Sequence, residues 1–166
     1  MAMERLTTIE LSKEYLKFSA AHFTIFSSTE RERLHGHNFS VRAKITAPVG
    51  PNGMTFSYKL FKRKLESLCA ALDEYLILPG ASPYLTVEMQ GDTCLAHFNG
   101  EAMPFLASDV LVLPIRNATV EEYSNYLLEQ LLDDQSLLEE YGVVALELGV
   151  SSGPGQWGSS HWQSRQ

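Results

Sequence analysis

An alternation of apolar and polar side chains along residues 37–47 constrains the fold more than any other pattern in this chain. The odd positions from Phe39 to Ile45 are apolar, and the even positions from Ser40 to Thr46 are polar. A period of two is typical of a β-strand that buries one face and leaves the other in water. The segment therefore predicts a sheet whose Phe39 side faces a core.

Helical spacing replaces this alternation in two stretches. Residues 57–72 place apolar side chains three and four positions apart, and a second helix starts near Thr119, where Glu122 completes a capping box. We expect the second helix to reach Tyr141, either continuously or with a break at Asp133-Asp134. A short apolar segment covers residues 109–115, and further extended segments are predicted at 5–11, 15–21, 143–150 and in a hairpin of 84–89 with 93–98 about Gly91-Asp92.

The order of these elements favours an α+β protein. Strand pairs alternate with two helices, which predicts an antiparallel β-sheet with both helices on one face. A chain of 166 residues is long enough for one domain and too short for two, so we expect a single domain over residues 1–166. Residues 151–166 are rich in Gly and Ser, and the tail 158–166 is expected to be flexible.

The charge balance and the apolar runs exclude two classes of partner. With 13 Lys and Arg against 20 Asp and Glu, the chain lacks the basic footprint that nucleic acid requires. No stretch approaches the roughly 18–20 apolar residues of a membrane helix, so no membrane partner is expected. No secretory leader is visible, and Cys69 and Cys94 are interpreted as free thiols in a reducing compartment. We therefore expect a cytoplasmic protein.

Two histidines, His35 and His37, stand at the head of the alternating strand with one glycine between them. Side chains two positions apart on a strand point to the same face, so the pair projects together. His22 ends the preceding extended segment, and it lies beside the pair if the two segments run antiparallel through the loop 23–34. Three neutral imidazoles around one point are the ligand set of a catalytic zinc, whose fourth position stays open to water or substrate.

Two other interpretations of these histidines compete with the zinc site. A cupin also carries two histidines in this arrangement on a strand, but it places a glutamate ligand a few residues further on, where this chain has Ser40, Val41 and Arg42. The other alternative is that the histidines are surface or core residues without a metal. The missing glutamate weakens the cupin alternative, and the third histidine at the end of the neighbouring segment strengthens the zinc site against the second alternative, which stays open at this point.

The two histidine motifs also resemble those of a known family, the 6-pyruvoyltetrahydropterin synthase / 6-carboxytetrahydropterin synthase family. The similar segments are Phe18-Ser19-Ala20-Ala21-His22 and Leu34-His35-Gly36-His37-Asn38-Phe39. Weaker pieces follow in the family's order: Leu72-Asp73 after the first helix, Asn117-Ala118-Thr119-Val120-Glu121 at the start of the second, and Glu147 near the end. The resemblance spans roughly residues 7–157.

The resemblance implies a fold, an assembly and a reaction. The expected fold is the tunnelling fold, in which three subunits close an oligomeric barrel and two trimers stack into a homohexamer with active sites between subunits. The implied activity is that of a zinc-dependent lyase on 7,8-dihydroneopterin triphosphate or a related pterin. His22, His35 and His37 would bind the zinc ion. Glu147 would accept hydrogen bonds from a pterin ring N–H and amino group together, and Thr119 and Glu121 would also contact the substrate.

The chain departs from the family at the residues that move protons. The typical base is a cysteine shortly before the paired histidines, but no cysteine lies between His22 and His35. Glu32 fits the Glu-x-x-His-Gly-His spacing of a family subgroup, so it is the predicted catalytic base, against the alternative of a solvated residue in the charged run 30–33. Asp73 is retained as a catalytic residue, but Glu74 follows it where the family has a histidine.

These departures leave the reaction open. A glutamate base is compatible with side-chain cleavage resembling that of dihydroneopterin aldolase, as well as with loss of triphosphate or formation of a carboxytetrahydropterin. The missing histidine favours a different class, a homologue that binds zinc and a pterin without turnover. A zinc hydrolase with an unrelated substrate is a remote third alternative, since no Ser/His/Asp arrangement supports it.

Overall fold

The computed structural model describes residues 4–165. Over this range the helices are α1 (Tyr58–Ala70), α2 (Val120–Leu132) and α3 (Gln135–Glu140), and the strands are β1 (Leu6–Leu11), β2 (Lys17–His22), β3 (His35–Pro48), β4 (Tyr75–Pro79), β5 (Thr86–Gln90), β6 (Thr93–Phe98), β7 (Glu101–Leu106), β8 (Val110–Leu113), β9 (Ala145–Gly153) and β10 (Gln156–Gln163). In this part of the chain no helix is both long and apolar enough to cross a membrane.

The long strand β3 organises the main sheet, whose strand order is β10-β9-β3-β2-β4-β8. Along one edge of β3, β2 pairs with its first half and β1 with its second half, and β9 pairs along the other edge, all antiparallel. The predicted α+β class is confirmed. The sheet departs from the predicted antiparallel arrangement at β4, which runs parallel to both β2 and β8. Parallel neighbours need long crossovers, and the intervening elements supply them.

Both larger helices pack on one face of this sheet, as predicted. The apolar side chains of β3 point to that face, and Phe39, Ala43 and Ile45 have no exposed surface. Tyr123 of α2 lies edge-on to the ring of Phe39, with centroids 5.2 Å apart. The cap at the start of α2 is confirmed, since the Thr119 hydroxyl accepts a hydrogen bond from the backbone N–H of Glu122. The helical stretch breaks at residues 133–134, the second of the two alternatives.

The segment between β4 and β8 forms a second sheet of three strands, in the order β5-β6-β7. The predicted hairpin about Gly91 is confirmed, and Gly91 has the positive φ of 59° that such tight turns require. Strand β7 is an addition, which pairs with β6 through the turn Asn99-Gly100. A separate apolar cluster beneath this sheet contains Phe98 together with Phe23 of the loop between β2 and β3.

The C-terminal segment forms a strand, which corrects the expectation of a flexible tail over residues 158–163. Strand β10 pairs with β9 along its length and covers the start of α2. Its small residues permit this close approach, because a Cβ on Gly158 would lie 2.9 Å from Cγ2 of Val120. The hydroxyls of Ser160 and Ser124 are 2.7 Å apart across the same interface. The Gly and Ser content therefore reflects tight packing against a helix.

Replacing Gly158 with alanine is expected to lower the free energy of unfolding by about 1–3 kcal/mol, the usual cost of overpacking. The added methyl group would press on Val120 and on the backbone of the first turn of α2. The matched control is Ser159→Ala, since Ser159 is exposed and lies on the opposite face of β10. Urea unfolding of both variants tests the packing, and equal stability of the two would contradict it.

Candidate functional site

The three candidate ligands meet where β2 ends and β3 begins. In the antiparallel register His22 lies directly opposite His35, and Ala20 lies opposite His37. Directly paired residues share a face of the sheet, so all three imidazoles project toward the helix-bearing side. Gly36 keeps the strands close, because a Cβ at this position would be 3.3 Å from the carbonyl oxygen of Ala20.

The imidazoles converge on one point. Their ring centroids are 4.7 Å apart for His22 and His35, 4.8 Å for His35 and His37, and 5.1 Å for His22 and His37. One nitrogen from each ring lies within 4.8 Å of the others, and the Nε2 atoms of His35 and His37 are 3.0 Å apart. Nitrogen ligands about 2.0–2.1 Å from a tetrahedral ion would have separations of this order. The predicted convergence of the three histidines is confirmed.

Backbone carbonyls orient two of these rings. Nδ1 of His22 lies 2.7 Å from the carbonyl oxygen of Ala118, and Nδ1 of His35 lies 2.6 Å from that of Arg33. Each Nδ1–H donates to its carbonyl, which leaves the Nε2 lone pair facing the cluster, as in many metal sites. Nε2 of His22 is buried and finds no hydrogen-bond partner among residues 4–165. Burial of a polar atom without a partner is costly, so the geometry fits a metal ion at this point.

The protonation of His22 fits the same role. Burial lowers the pKa of His22 below its ordinary value, and the nearby His35 and His37 lower it further, against the opposing effect of the hydrogen bond to Ala118. A histidine must be neutral to ligate a metal ion. The site therefore holds this imidazole in the form that a metal ion requires.

Glu32 lies beside the cluster on the loop between β2 and β3. Its Oε1 accepts a hydrogen bond from the backbone N–H of Thr24 at 3.2 Å, and its Oε2 is 3.6 Å from Nε2 of His35. Burial raises the pKa of Glu32, but the hydrogen bonding to Thr24 and the electrostatic interaction with His35 outweigh it and hold the pKa below its usual value. The carboxylate is therefore ionised and within reach of a group bound at the histidines.

A cavity of about 450 Å³ opens in front of the histidines. Glu32, Thr119 and Glu121 line it, so the structure brings three of the predicted site residues to the cluster. Ser152, near the end of β9, and Gln156, at the start of β10, also line it and were not expected from the sequence. No local pattern marks these two residues, because only the pairing of the C-terminal strand carries them to the site.

Two of the predicted site residues, Asp73 and Glu147, do not line this cavity in the single chain. Asp73 follows α1 and accepts a hydrogen bond at Oδ1 from the backbone N–H of Ser19, 2.7 Å away. Glu147 lies 3.3 Å from Nζ of Lys44 on the face of the sheet that carries no helix. A separate cavity of about 460 Å³ surrounds Glu147 and His161.

The sequence and the fold match one protein family. The model of the 6-pyruvoyl tetrahydropterin synthase family covers residues 10–159. A protein of Methanocaldococcus jannaschii assigned as a 6-carboxy-5,6,7,8-tetrahydropterin synthase is 26% identical over 142 residues, which make up 85% of this chain and 86% of that protein.

Solved structures show the same likeness. The 6-pyruvoyl tetrahydropterin synthase of Plasmodium falciparum has a TM-score of 0.90 at 29% identity and covers 96% of this chain and 99% of its own. The Plasmodium vivax enzyme has a TM-score of 0.91 at 27% identity, with 97% and 100% covered. It has also been solved with a glutamate, described as a catalytic residue, replaced by alanine or by cysteine. The resemblance and the tunnelling fold are thereby confirmed, and the chain belongs to the 6-pyruvoyl tetrahydropterin synthase family of tetrahydropterin synthase-like enzymes.

Proposed function

We propose that the protein is a zinc-dependent lyase of pterin metabolism that acts on 7,8-dihydroneopterin triphosphate or a closely related pterin. The observation that carries the proposal is the shared cavity, in which three converging histidines face the carboxylates of Glu32 and Glu121. A metal site, a base and a group that accepts two parallel hydrogen bonds are the parts that this chemistry needs. The family to which the chain belongs supplies the substrate class.

His22, His35 and His37 would hold the zinc ion. Three imidazoles with one open position are the donor set of catalytic zinc. When bound, zinc would polarise the hydroxyl groups of the pterin side chain. The protein's part is to hold His22 and His35 by their Nδ1–H groups, so that the ligand nitrogens are already aimed at one point.

Glu32 would act as the base of the reaction. Its carboxylate is fixed by the backbone N–H of Thr24 and lies next to His35, where the substrate side chain would sit. An ionised carboxylate in this position can take a proton from the side chain and return it later. The Plasmodium vivax relative, in which a glutamate is described as a catalytic residue, supports this assignment.

Glu121 is the better candidate than Glu147 for binding the pterin ring within one chain. A pterin presents a ring N–H and an amino group side by side, and one carboxylate can accept both hydrogen bonds. Glu121 lies in the first turn of α2 and lines the histidine cavity. The carboxylate of Glu147 is engaged with Lys44 on the other face of the sheet.

Replacing Glu121 with glutamine is expected to raise the dissociation constant for a pterin by about 10- to 100-fold, since hydrogen bonds to a charged group contribute about 1.5–3 kcal/mol. Zinc content should not change, because the hydrogen bonds that orient His22 and His35 in the described part of the chain go to Ala118 and Arg33 and do not involve Glu121. Glu147→Gln is the matched comparison. Fluorescence titration with a non-reacting pterin measures both, and weaker binding in the Glu147 variant alone would move the ring-binding role to that residue.

An assembly of several copies would give Asp73 and Glu147 a role. We propose the homohexamer of the family, in which active sites form between subunits and a neighbouring copy supplies groups that one chain leaves outside its histidine cavity. The position of both residues supports this arrangement, since the fold of one chain keeps them away from the histidines.

Cleavage of the pterin side chain is the second candidate reaction. Glu32 stands where a cysteine is typical, and Glu74 follows Asp73 in place of a histidine. A glutamate cannot replace an imidazole that exchanges protons near neutrality. In the cleavage, the base takes the proton of a side-chain hydroxyl, the neighbouring carbon–carbon bond breaks, and the pterin fragment takes up a proton at carbon.

One experiment separates these reactions. Zinc-loaded protein is incubated with 7,8-dihydroneopterin triphosphate, and the products are identified by mass. Loss of inorganic triphosphate indicates elimination, whereas a shortened pterin together with a two-carbon aldehyde that carries the phosphates indicates cleavage. Tight binding without product would show a non-catalytic homologue. Neither binding nor product would refute the proposed function.

A further inference from the structure

We infer that Arg31 is a positioning residue that holds Glu32 in place by fastening its loop to the three-stranded sheet. The inference rests on the proposed function only in the role it gives Glu32. The contacts that support it are those of the loop between β2 and β3 with itself and with strand β6.

The loop that carries Glu32 folds back on itself as a short hydrogen-bonded ladder. Ile25 and Arg31 form an isolated antiparallel bridge, and the backbone N–H of Glu32 donates to the carbonyl of Thr24 at 2.8 Å. Beyond the bridge, the N–H of Phe26 donates to the carbonyl of Glu30. This short ladder sets the path of the chain, and Asn117 holds Ile25 through two hydrogen bonds, at 3.0 Å to its N–H and 2.8 Å to its carbonyl oxygen. The opposite side of the ladder, which carries Glu32, depends on the contacts of the Arg31 side chain.

The side chain of Arg31 connects this loop to its surroundings. Its Nη1 donates to the carbonyl oxygen of Glu32 at 2.9 Å. Its guanidinium carbon lies 4.9 Å from the ring centroid of Phe23 and 5.8 Å from that of Phe98, both within the range of cation–π contact. Phe23 directly follows the ligand His22, and Phe98 ends strand β6.

Both rings are firmly held. Phe23 is 1% exposed and Phe98 is 6% exposed, and they belong to the same apolar cluster beneath the second sheet. Asn99 and Gly100, both with positive φ, form the tight turn that follows Phe98 and fix its place in the hairpin. The guanidinium of Arg31 therefore contacts two buried rings, and one of its N–H groups donates to the backbone of Glu32.

Within the described residues, no carboxylate forms an ion pair with Arg31. A planar guanidinium can stack on a ring and donate in its own plane at the same time, which an ammonium cannot do. The arrangement thus favours a role for Arg31 in positioning Glu32. It also gives the three-stranded sheet a role in the active site.

The test compares Arg31→Met with Arg31→Lys and with Phe98→Leu. A misplacement of about 1 Å can cost about 100-fold in rate, so we expect kcat of Arg31→Met to fall by about 10- to 100-fold with little change in KM. Arg31→Lys retains the charge but loses the planar stack, and Phe98→Leu loses one ring, so both should show part of the same loss. Arg63→Met, which removes an exposed charge from α1, is the control.

The double variant Arg31→Met with Glu32→Gln shows whether Arg31 acts through Glu32. We expect kcat of the double variant to equal kcat of Glu32→Gln alone, because displacing a base that is already inactive does not lower the rate further. A multiplied loss would overturn the inference. So would full activity of Arg31→Lys, which would indicate a charge effect, or a rise in KM at unchanged kcat, which would indicate contact with the substrate phosphates.

Amide hydrogen exchange provides a readout that does not depend on turnover. In Arg31→Met, the amides of the loop 24–34 should exchange at least about tenfold faster, while those of β3 beyond Asn38 keep their wild-type protection. Unchanged exchange in the loop would overturn the inference. If the wild-type protein turns over no pterin, the proposed function fails, and this measurement still decides whether Arg31 fastens the loop.

Discussion

Replacing His35 with alanine is expected to weaken zinc binding by roughly 100-fold or more. Loss of a residue that merely orients a ligand costs about 10- to 100-fold in metal affinity, so loss of a direct ligand should reach at least the upper end of that range. Only His22 and His37 would remain, and two imidazoles leave a divalent ion mostly exposed to water. After dialysis, the purified variant should contain almost no zinc by elemental analysis.

His35 is chosen because its replacement should not unfold the protein. Its side chain is 35% exposed, whereas His22 is buried, so truncation of His35 leaves no large cavity. The matched control is His97→Ala, since His97 is an exposed histidine on β6 whose Nε2 lies 3.0 Å from Glu88. The control should retain its zinc. Full retention of zinc by the His35 variant, with wild-type unfolding behaviour, would refute the metal site.

The convergence of the three histidines was predictable because strand geometry follows directly from residue order. Once the alternation places residues 37–47 in a strand, His35 and His37 must share a face, and His22 lies beside them if the loop 23–34 returns the chain antiparallel. The structure adds only the register, which pairs His22 with His35. The helix cap at Thr119 was predictable for the same reason, since it depends on neighbours three residues apart.

Strands β4 and β10 were not predicted, because no local sequence pattern marks them. Strand β4 is a continuous buried run with no alternation, and β10 has a glycine followed by two serines at its centre, where glycine is depleted in strands. Pairing with distant segments stabilises both. The choice between Glu121 and Glu147 was beyond local patterns as well, because it depends on which face of which strand meets the histidine cavity.

Replacing Glu32 with glutamine is expected to lower kcat by about 10²- to 10⁴-fold, the usual contribution of a general base. Glutamine has the same size and retains an oxygen that can accept the hydrogen bond from Thr24, so the loop should keep its shape. It cannot take up a proton from the substrate. Zinc content and pterin binding should therefore stay close to wild type while turnover is lost, as measured by steady-state kinetics with product detection by mass.

Glu30→Gln is the matched control, because Glu30 lies two residues earlier on the same loop and is exposed. Its backbone carbonyl accepts from Phe26, but its carboxylate has no ion pair or hydrogen bond within residues 4–165. If Glu32 were only one of several solvated acids in this charged run, the two variants would lose equally little activity. A large loss confined to the Glu32 variant, at unchanged zinc content, would assign proton transfer to the one carboxylate that Thr24 holds beside His35. Equal rates for both variants would require another residue as the base, and Asp73 of a neighbouring copy would be the first to replace.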